Sequence, residues 1–182
     1  MNKFLLSAAP AVLATSLVVA AEIEQRTVQT DREKIRVSVP KEWPAFETNR
    51  TSQGLPYYRL GPANTNYSIQ LHFNDSSQVG TNALVDSGLE RFLQVTLAPV
   101  LKMSVEDKVQ VHRFGAQKQG VYARLSDRAP KPGEYRYYTR GVRLMGTNVL
   151  VFALVSNDSD FSALSNALAV VESVRIGAKD GK

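Results

Sequence analysis

Hydrophobic side chains follow two different spacings along this chain, and each spacing predicts a different element. Residues 34–40 alternate polar and apolar side chains, which predicts a half-buried strand. Residues 67–73 alternate in the same way. Between about Asn82 and Met103, the apolar residues instead recur at intervals of three and four, as on one face of an amphipathic helix. The first half of the chain therefore predicts strands followed by a helix.

The second half of the chain predicts further strands and a final helix. Residues 149–155 are apolar on both faces, which predicts a central strand that is covered on both sides. An apolar stripe predicts a helix from about Asp160 to Val171, capped by Asp158, Ser159 or Asp160. Turn residues bound the strands, which run roughly over Lys108 to Phe114, Gly120 to Leu125, Glu134 to Leu144 and Val149 to Ser156.

The order of these elements predicts an α+β fold. Consecutive strands that are joined by hairpin-length connections form an antiparallel sheet. One helix on each face would bury the central strand, so we expect one antiparallel β-sheet sandwiched by helices (α/β/α). The side chains expected in its core are Trp43, Phe73, Phe92, Phe152 and Leu168.

The N-terminal segment has the pattern of a secretory signal. Lys3 precedes an uncharged, largely apolar run over residues 4–19, and the small residues Ala20 and Ala21 follow it. We therefore expect residues 1–21 to be a signal peptide that is cleaved near Ala20 or Ala21, and residues 22–182 to form a single domain in the periplasm or outside the cell. The alternative is a retained anchor, although the apolar run is short for a membrane span.

Composition excludes several classes of chemistry. The chain has no cysteine, which rules out a thiol nucleophile, a cysteine-based metal site and a disulfide-linked partner. Its formal net charge of +5 is compatible with an anionic lipid, an anionic glycan or an acidic protein partner. The positive residues are not clustered as in nucleic-acid-binding domains, so we expect no nucleic acid partner.

Short motifs near both ends of the predicted domain resemble those of the PsbP-like family. Residues 37–43 run from a strand into Pro-x-x-Trp, with Pro40 and Trp43 at the two fixed positions. Residues 170–176 are similar to the helix and short Ser-Phe strand with which the family often ends, except that Val174 replaces the phenylalanine. The resemblance implies an α/β/α sandwich and a secreted or lumenal accessory protein, and it carries over no functional site.

Candidate catalytic residues do not form a known motif. The histidines, His72 and His112, lack the spacing of a zinc site, and no serine lies in a Gly-x-Ser-x-Gly turn. We therefore expect no catalytic residue, no metal and no cofactor. Paired carboxylates acting on wall glycans stay open as an alternative, and the acidic residues in or beside predicted elements include Asp86, Glu90, Glu134 and Asp158.

The most distinctive local feature is a strand that is rich in arginine and tyrosine. Arg136, Tyr138 and Arg140 alternate and should share one face, whereas Arg143 should lie on the other. Arginine and tyrosine are typical interface anchors, and they also bind phosphates and stack on sugars. With Arg124 of the preceding strand, they are our candidate binding residues. The alternative is a scaffold strand with packed tyrosines and solvated arginines.

These observations predict a periplasmic, non-catalytic binding or assembly accessory protein. Its expected partner is an envelope protein of unknown identity. One alternative is an envelope-surface protein that contacts anionic lipid or glycan, and a second is a cell-wall glycan hydrolase.

Overall fold

A computed structural model of the chain describes residues 21–29, 33–52, 54–63, 66–75, 86–146, 148–159 and 161–177. The predicted signal peptide lies outside these residues, apart from Ala21. No described helix is long and apolar enough to cross a membrane.

A seven-stranded antiparallel sheet forms the centre of the fold. Its strand order is β3-β4-β5-β9-β8-β7-β6. The central strand, β9, pairs with β5 and β8, and residues 149–154 are all buried, which confirms the strand predicted to be covered on both faces. The strands are β3 (Glu47–Arg50), β4 (Pro56–Leu60), β5 (Tyr67–Asp75), β6 (His112–Phe114), β7 (Gly120–Ser126), β8 (Tyr137–Met145) and β9 (Asn148–Ser156).

A second, three-stranded antiparallel sheet packs against the first. It consists of β1 (Ile23–Gln29), β2 (Lys34–Pro40) and β10 (Arg175–Gly177), with β2 in the middle. The sequence predicted one sheet, and the structure has two. A strand with a single apolar face can cover a sheet as well as join it, and the apolar residues of β2 contribute to the core from the opposite side.

One helix lies on each face of the seven-stranded sheet, which confirms the predicted α+β fold class, an antiparallel β-sheet sandwiched by helices (α/β/α). Helix α1 (Asp86–Leu101) packs on β7 and β8 and buries Leu89, Leu93 and Leu97. Helix α2 (Ser162–Ser173) packs with β2 and β9 on the opposite side. The predicted cap of α2 by Asp158, Ser159 or Asp160 is wrong, because the N-cap is Phe161, which makes no side-chain capping bond. Asp160 itself lies outside the described residues.

The expected core residues differ in their degree of burial. Trp43 and Phe152 are buried as predicted. Phe73, Phe92 and Leu168 are half-buried and pack against the core clusters. The Glu-Thr-Asn-Arg sequence of β3 was not predicted as a strand, since it contains no apolar residue and lies at the edge of the sheet.

Candidate functional site

Four of the five predicted binding residues lie on the two faces of the seven-stranded sheet. Tyr138 and Arg140 lie on the face that α1 covers in part, where Tyr138 packs against the α1 core cluster. Arg143 and Arg124 lie on the face of α2. Arg136 precedes β8 and is exposed. The alternation expected along β8 is therefore found, but a single exposed patch of all five residues is not, and their binding role stays a prediction.

Arg143 is held by the C-terminal end of α2. Its Nη1 donates to the carbonyl oxygens of Val171 at 2.6 Å and Glu172 at 3.0 Å. The last carbonyl groups of a helix lack the usual N–H partner four residues further on, and a cation at a helix C-terminus also interacts favourably with the helix dipole. Burial, together with the nearby charge of Arg175, lowers the pKa of Arg143. The contacts of Arg143 therefore stabilise the docking of α2 on the sheet.

Arg124 also makes contacts that connect elements of the fold. Its guanidinium lies 4.0 Å from the ring centroid of Tyr137 and 4.2 Å from that of Phe161. Its Nη2 donates to the carbonyl oxygen of Asp158. These interactions hold the segment that joins β9 to α2, so Arg124 has a structural role whatever else it binds.

Arg140 has a different environment from both of these arginines. Its side chain is half-buried, and its guanidinium carbon lies 5.9 Å from the ring centroid of Phe92 of α1. Nη1 donates to the hydroxyl oxygen of Tyr138 at 3.4 Å, a long hydrogen bond. Its Nε is buried without a hydrogen-bond partner among the described residues, as is the Nε of Arg143, but Arg140 has no described carbonyl acceptors like those at the end of α2, and no described carboxylate forms an ion pair with it. Arg140 is therefore a half-buried cation whose donors are only partly satisfied.

The register of the sheet places polar side chains of β5 beside Arg140. Arg140 lies opposite Ala153 of β9, and Ala153 lies opposite Gln70 of β5. Because Ala153 has only a methyl group, the longer side chains of Arg140 and Gln70 stand on either side of it. His72 follows Gln70 by two residues and shares its face. We call Gln70, His72, Tyr138 and Arg140 the Arg140 site.

His72 contributes a neutral group to the Arg140 site. Burial lowers its pKa from the ordinary value of 6.5, and the positive charge of Arg140 lowers it further. Its ring stacks on Tyr57 with a centroid separation of 5.3 Å. At neutral pH the imidazole is therefore uncharged and can either donate or accept a hydrogen bond. Sequence reasoning placed His72 on the polar face of its strand but missed its proximity to Arg140, which depends on the pairing of β5 with β9.

The other candidate catalytic groups are dispersed. His112 lies on the edge strand β6 and stacks on Tyr122 of the neighbouring strand β7. Glu90 accepts a hydrogen bond from Arg113 at 2.7 Å, and Asp158 accepts one from the Ser162 hydroxyl at 3.0 Å. Glu134 accepts the backbone N–H of Lys131 in a turn. Among the described residues, no three histidine, aspartate or glutamate side chains are grouped so as to hold a metal ion.

Comparisons with known proteins concern the fold. No protein-family model matches the chain, and no curated protein matches it. The solution structure of cyanobacterial PsbP (CyanoP) from Synechocystis sp. aligns over 91% of this chain and 99% of its own chain, at 12% identity and a TM-score of 0.48. The crystal structure of LpqN, involved in cell envelope biogenesis of Mycobacterium tuberculosis, aligns over 85% of this chain and 91% of its own chain, at 15% identity and a TM-score of 0.43.

A third solved structure, from Bacteroides thetaiotaomicron, aligns over 81% of this chain and 46% of its own chain, at 11% identity and a TM-score of 0.42. A PsbP structure, from the family that the sequence motifs resemble, is therefore among the solved structures that align with this chain.

Proposed function

We infer that this protein is a non-catalytic binding or assembly accessory of the cell envelope, and that it binds an acidic group of its partner at the Arg140 site. The single observation that carries this proposal is the half-buried guanidinium of Arg140, which has no described acidic partner. Leaving a buried donor without an acceptor costs about 1–3 kcal/mol. A carboxylate or phosphate oxygen supplied by a partner would remove that cost.

The neighbours of Arg140 support binding over catalysis. Tyr138 and Gln70 can each donate a hydrogen bond to an anion, and His72 adds a neutral imidazole beside them. A charge-assisted hydrogen bond is roughly twice as strong as a neutral one. The described contacts of Glu90, Glu134 and Asp158 are with nearby side chains or backbone, and this favours the accessory role over the glycan hydrolase.

The test compares two single substitutions that remove the same charge. Arg140→Gln removes the cation of the Arg140 site, and Arg136→Gln removes an exposed cation that directly precedes the same strand. Each purified protein is immobilised and used to capture proteins from envelope extracts, and thermal unfolding verifies that each variant is folded. We expect wild type and Arg136→Gln to retain the same partner and Arg140→Gln to lose it.

Two other results would contradict this proposal. If the captured proteins are the same for all three chains, then Arg140 does not bind the partner. A second contradicting result is binding of all three chains to anionic vesicles, if the two substitutions weaken this binding equally and salt weakens it for every chain. The protein would then contact an anionic lipid or glycan surface through its overall charge. Peptidase, esterase and muramidase assays on the same proteins test the absence of catalysis.

A further inference from the structure

The outer edge of β1 is unpaired within the described part of the chain. The register of β1 on β2 shows which of its backbone groups point outward. The N–H of Lys41 donates to the carbonyl oxygen of Glu22 at 2.8 Å, so these two residues form a hydrogen-bonded pair. Hydrogen-bonded and non-hydrogen-bonded pairs alternate in an antiparallel ladder. Gln25 and Thr27 of β1 therefore direct their N–H and C=O groups away from β2.

The opposite strand confirms this alternation. Ser38 lies across from Gln25, and its backbone N–H donates to Oγ of Ser173 at 2.9 Å rather than to β1. The same hydroxyl donates to the carbonyl oxygen of Ser38 at 3.2 Å. Since the backbone groups of Ser38 point away from β1, those of Gln25 point away from β2.

A cleft of about 630 Å³ runs along this edge. Its β1 side includes consecutive residues, so both the backbone edge and the inward side chains of the strand border it. Its other side is formed by residues before and within β3 and β4, including Phe46, Thr48 and Tyr58. Because β3 and β1 are edge strands of the two sheets, the cleft is the open side of the sandwich. Its volume lies within the range of about 300–1,000 Å³ that is usual for ligand sites.

The chemistry of the cleft is that of a strand-binding site. Outward N–H and C=O groups at every second residue match the backbone of another extended chain. Alternate side chains of such a chain would contact Val28 and Tyr58, which are buried, and Phe46, which is half-buried. Arg26 donates to Glu24 and to the carbonyl oxygens of Trp43 and Pro44, so the charged end of the cleft is already paired. The inward side chains of the occupant should therefore be apolar.

The exposed face of the same sheet indicates the charge of the outward side chains. Thr27 lies opposite Arg36 of β2, and Arg36 is exposed and forms no ion pair with a described residue. Thr27 is small, so the long side chain of Arg36 can reach across it to a strand added beside β1. An acidic side chain at that position would complement the charge of Arg36.

We propose that the edge of β1 binds an extended peptide segment of a partner protein as an added β-strand. The segment has apolar side chains at the inward, alternate positions and an acidic side chain on its outward face beside Arg36. This site is separate from the Arg140 site, and Arg140→Gln should leave peptide binding unchanged.

The test uses a proline at an outward-facing position. Thr27→Pro removes an N–H that does not bond to β2, so the β1–β2 ladder is retained, and proline is tolerated on the open side of an edge strand. Thr27→Val keeps the N–H and is the matched control. The probe is a capped peptide in which valine alternates with threonine and glutamate, and a second probe carries N-methyl groups on alternate backbone amides.

We expect the first probe to bind wild type and Thr27→Val, with shifts in the amide NMR signals of Gln25 and Thr27. Thr27→Pro and the N-methylated probe should each weaken binding by about tenfold or more, as the loss of one good hydrogen bond implies. Lysine in place of glutamate in the probe should also weaken binding.

Equal binding of the two probes, or no binding of either probe to wild type, would overturn the proposal. A wild-type dimer in analytical ultracentrifugation that Thr27→Pro converts to a monomer would also overturn it, because the edge would then be filled by a second copy of this chain. Thermal unfolding of both variants verifies that the fold is intact.

Discussion

Arg140 and Arg143 lie three residues apart on β8, but they occupy opposite faces of the same sheet. Arg143 donates to the carbonyl oxygens at the end of α2, on the face that is covered by α2 and the second sheet. Arg140 lies beside α1, and its one described hydrogen bond is a long one to Tyr138. The Nε atoms of both arginines lack a partner among the described residues. In the sequence, both are arginines of the same strand with similar neighbours. Their partners differ because successive positions on a strand face opposite layers.

The difference between the two faces indicates where a ligand can bind. The α2 face supplies acceptors from within the chain, and the arginine that lies there stabilises the fold. On the α1 face, the described helix packs on β7 and β8, and the polar side chains of β5 lie beyond them. The arginine on this second face is therefore the one whose described contacts leave an external anion as a possible partner. Three predictions test this comparison, from the largest expected effect to the smallest.

The largest effect should come from adding one methyl group to the α2 face. A Cβ atom on Gly141 would lie 2.1 Å from Cζ of Phe152, which is fully buried. We expect Gly141→Ala to lower the free energy of unfolding by about 3 kcal/mol, because a close-packed core cannot accommodate the overlap. Denaturant unfolding measures this change.

The double variant Gly141→Ala with Phe152→Leu is the control, since leucine removes the overlapping ring atoms. The two changes should couple favourably by about 1 kcal/mol or more. Simple additivity of the two losses would show that the ring of Phe152 is not what limits the space at Gly141.

The second effect compares the two arginines directly. Arg143→Met removes the donors that bond to Val171 and Glu172, and we expect it to lower the free energy of unfolding by about 2 kcal/mol. Arg140→Met removes an unsatisfied Nε, which is favourable, but also the long bond to Tyr138 and the contact with Phe92, which is unfavourable. Because these effects oppose each other, stability should change by less than about 0.5 kcal/mol in either direction. Equal losses in the two variants, measured by the same denaturant titration, would contradict the distinction between the faces.

The smallest effect concerns the pH dependence of His72. Its pKa in the folded state is lower than the ordinary value of 6.5, so the unfolded chain binds the proton more tightly. Stability that depends on the neutral imidazole is thus fully present above about pH 6.5 and is lost as the pH falls from there through the lowered folded pKa. His72→Gln should remove this part of the pH dependence.

Arg140→Gln should raise the pKa of His72 only in part, because burial is the larger cause of the shift and the charge of Arg140 is the smaller. An NMR titration of the imidazole measures both the wild-type value and the change. An unchanged His72 pKa in Arg140→Gln would show that the two side chains do not interact across β9.

Local patterns predicted the elements where burial is one-sided or complete. The alternation of residues 67–73 and the doubly apolar run at 149–155 both correspond to strands of the sheet, and the three-four spacing before Met103 corresponds to α1. Such patterns are readable because each buried face requires apolar residues at a fixed period. Strand β3 has no such requirement at the sheet edge, and its Glu-Thr-Asn-Arg sequence gave no signal.

The predicted cap of α2 failed for a local reason. Asp158 accepts a hydrogen bond from the Ser162 hydroxyl, and its carbonyl oxygen accepts one from Arg124. The helix begins after Phe161, a residue in the left-handed backbone region, whose ring stacks on Arg124. A contact with β7 therefore sets the start of α2, and no spacing of capping residues in the sequence encodes it.

By itself, the sequence determined the fold class, the central strand and the alternation of Arg140 and Arg143 on β8, because each follows from the period of side chains along one element. Only the tertiary structure decided that Arg143 meets the end of α2, that His72 lies beside Arg140 and that β1 borders a cleft with β3. These neighbours come from distant parts of the chain. Their proximity depends on which strands pair and which faces pack, and no local pattern of residues specifies that pairing.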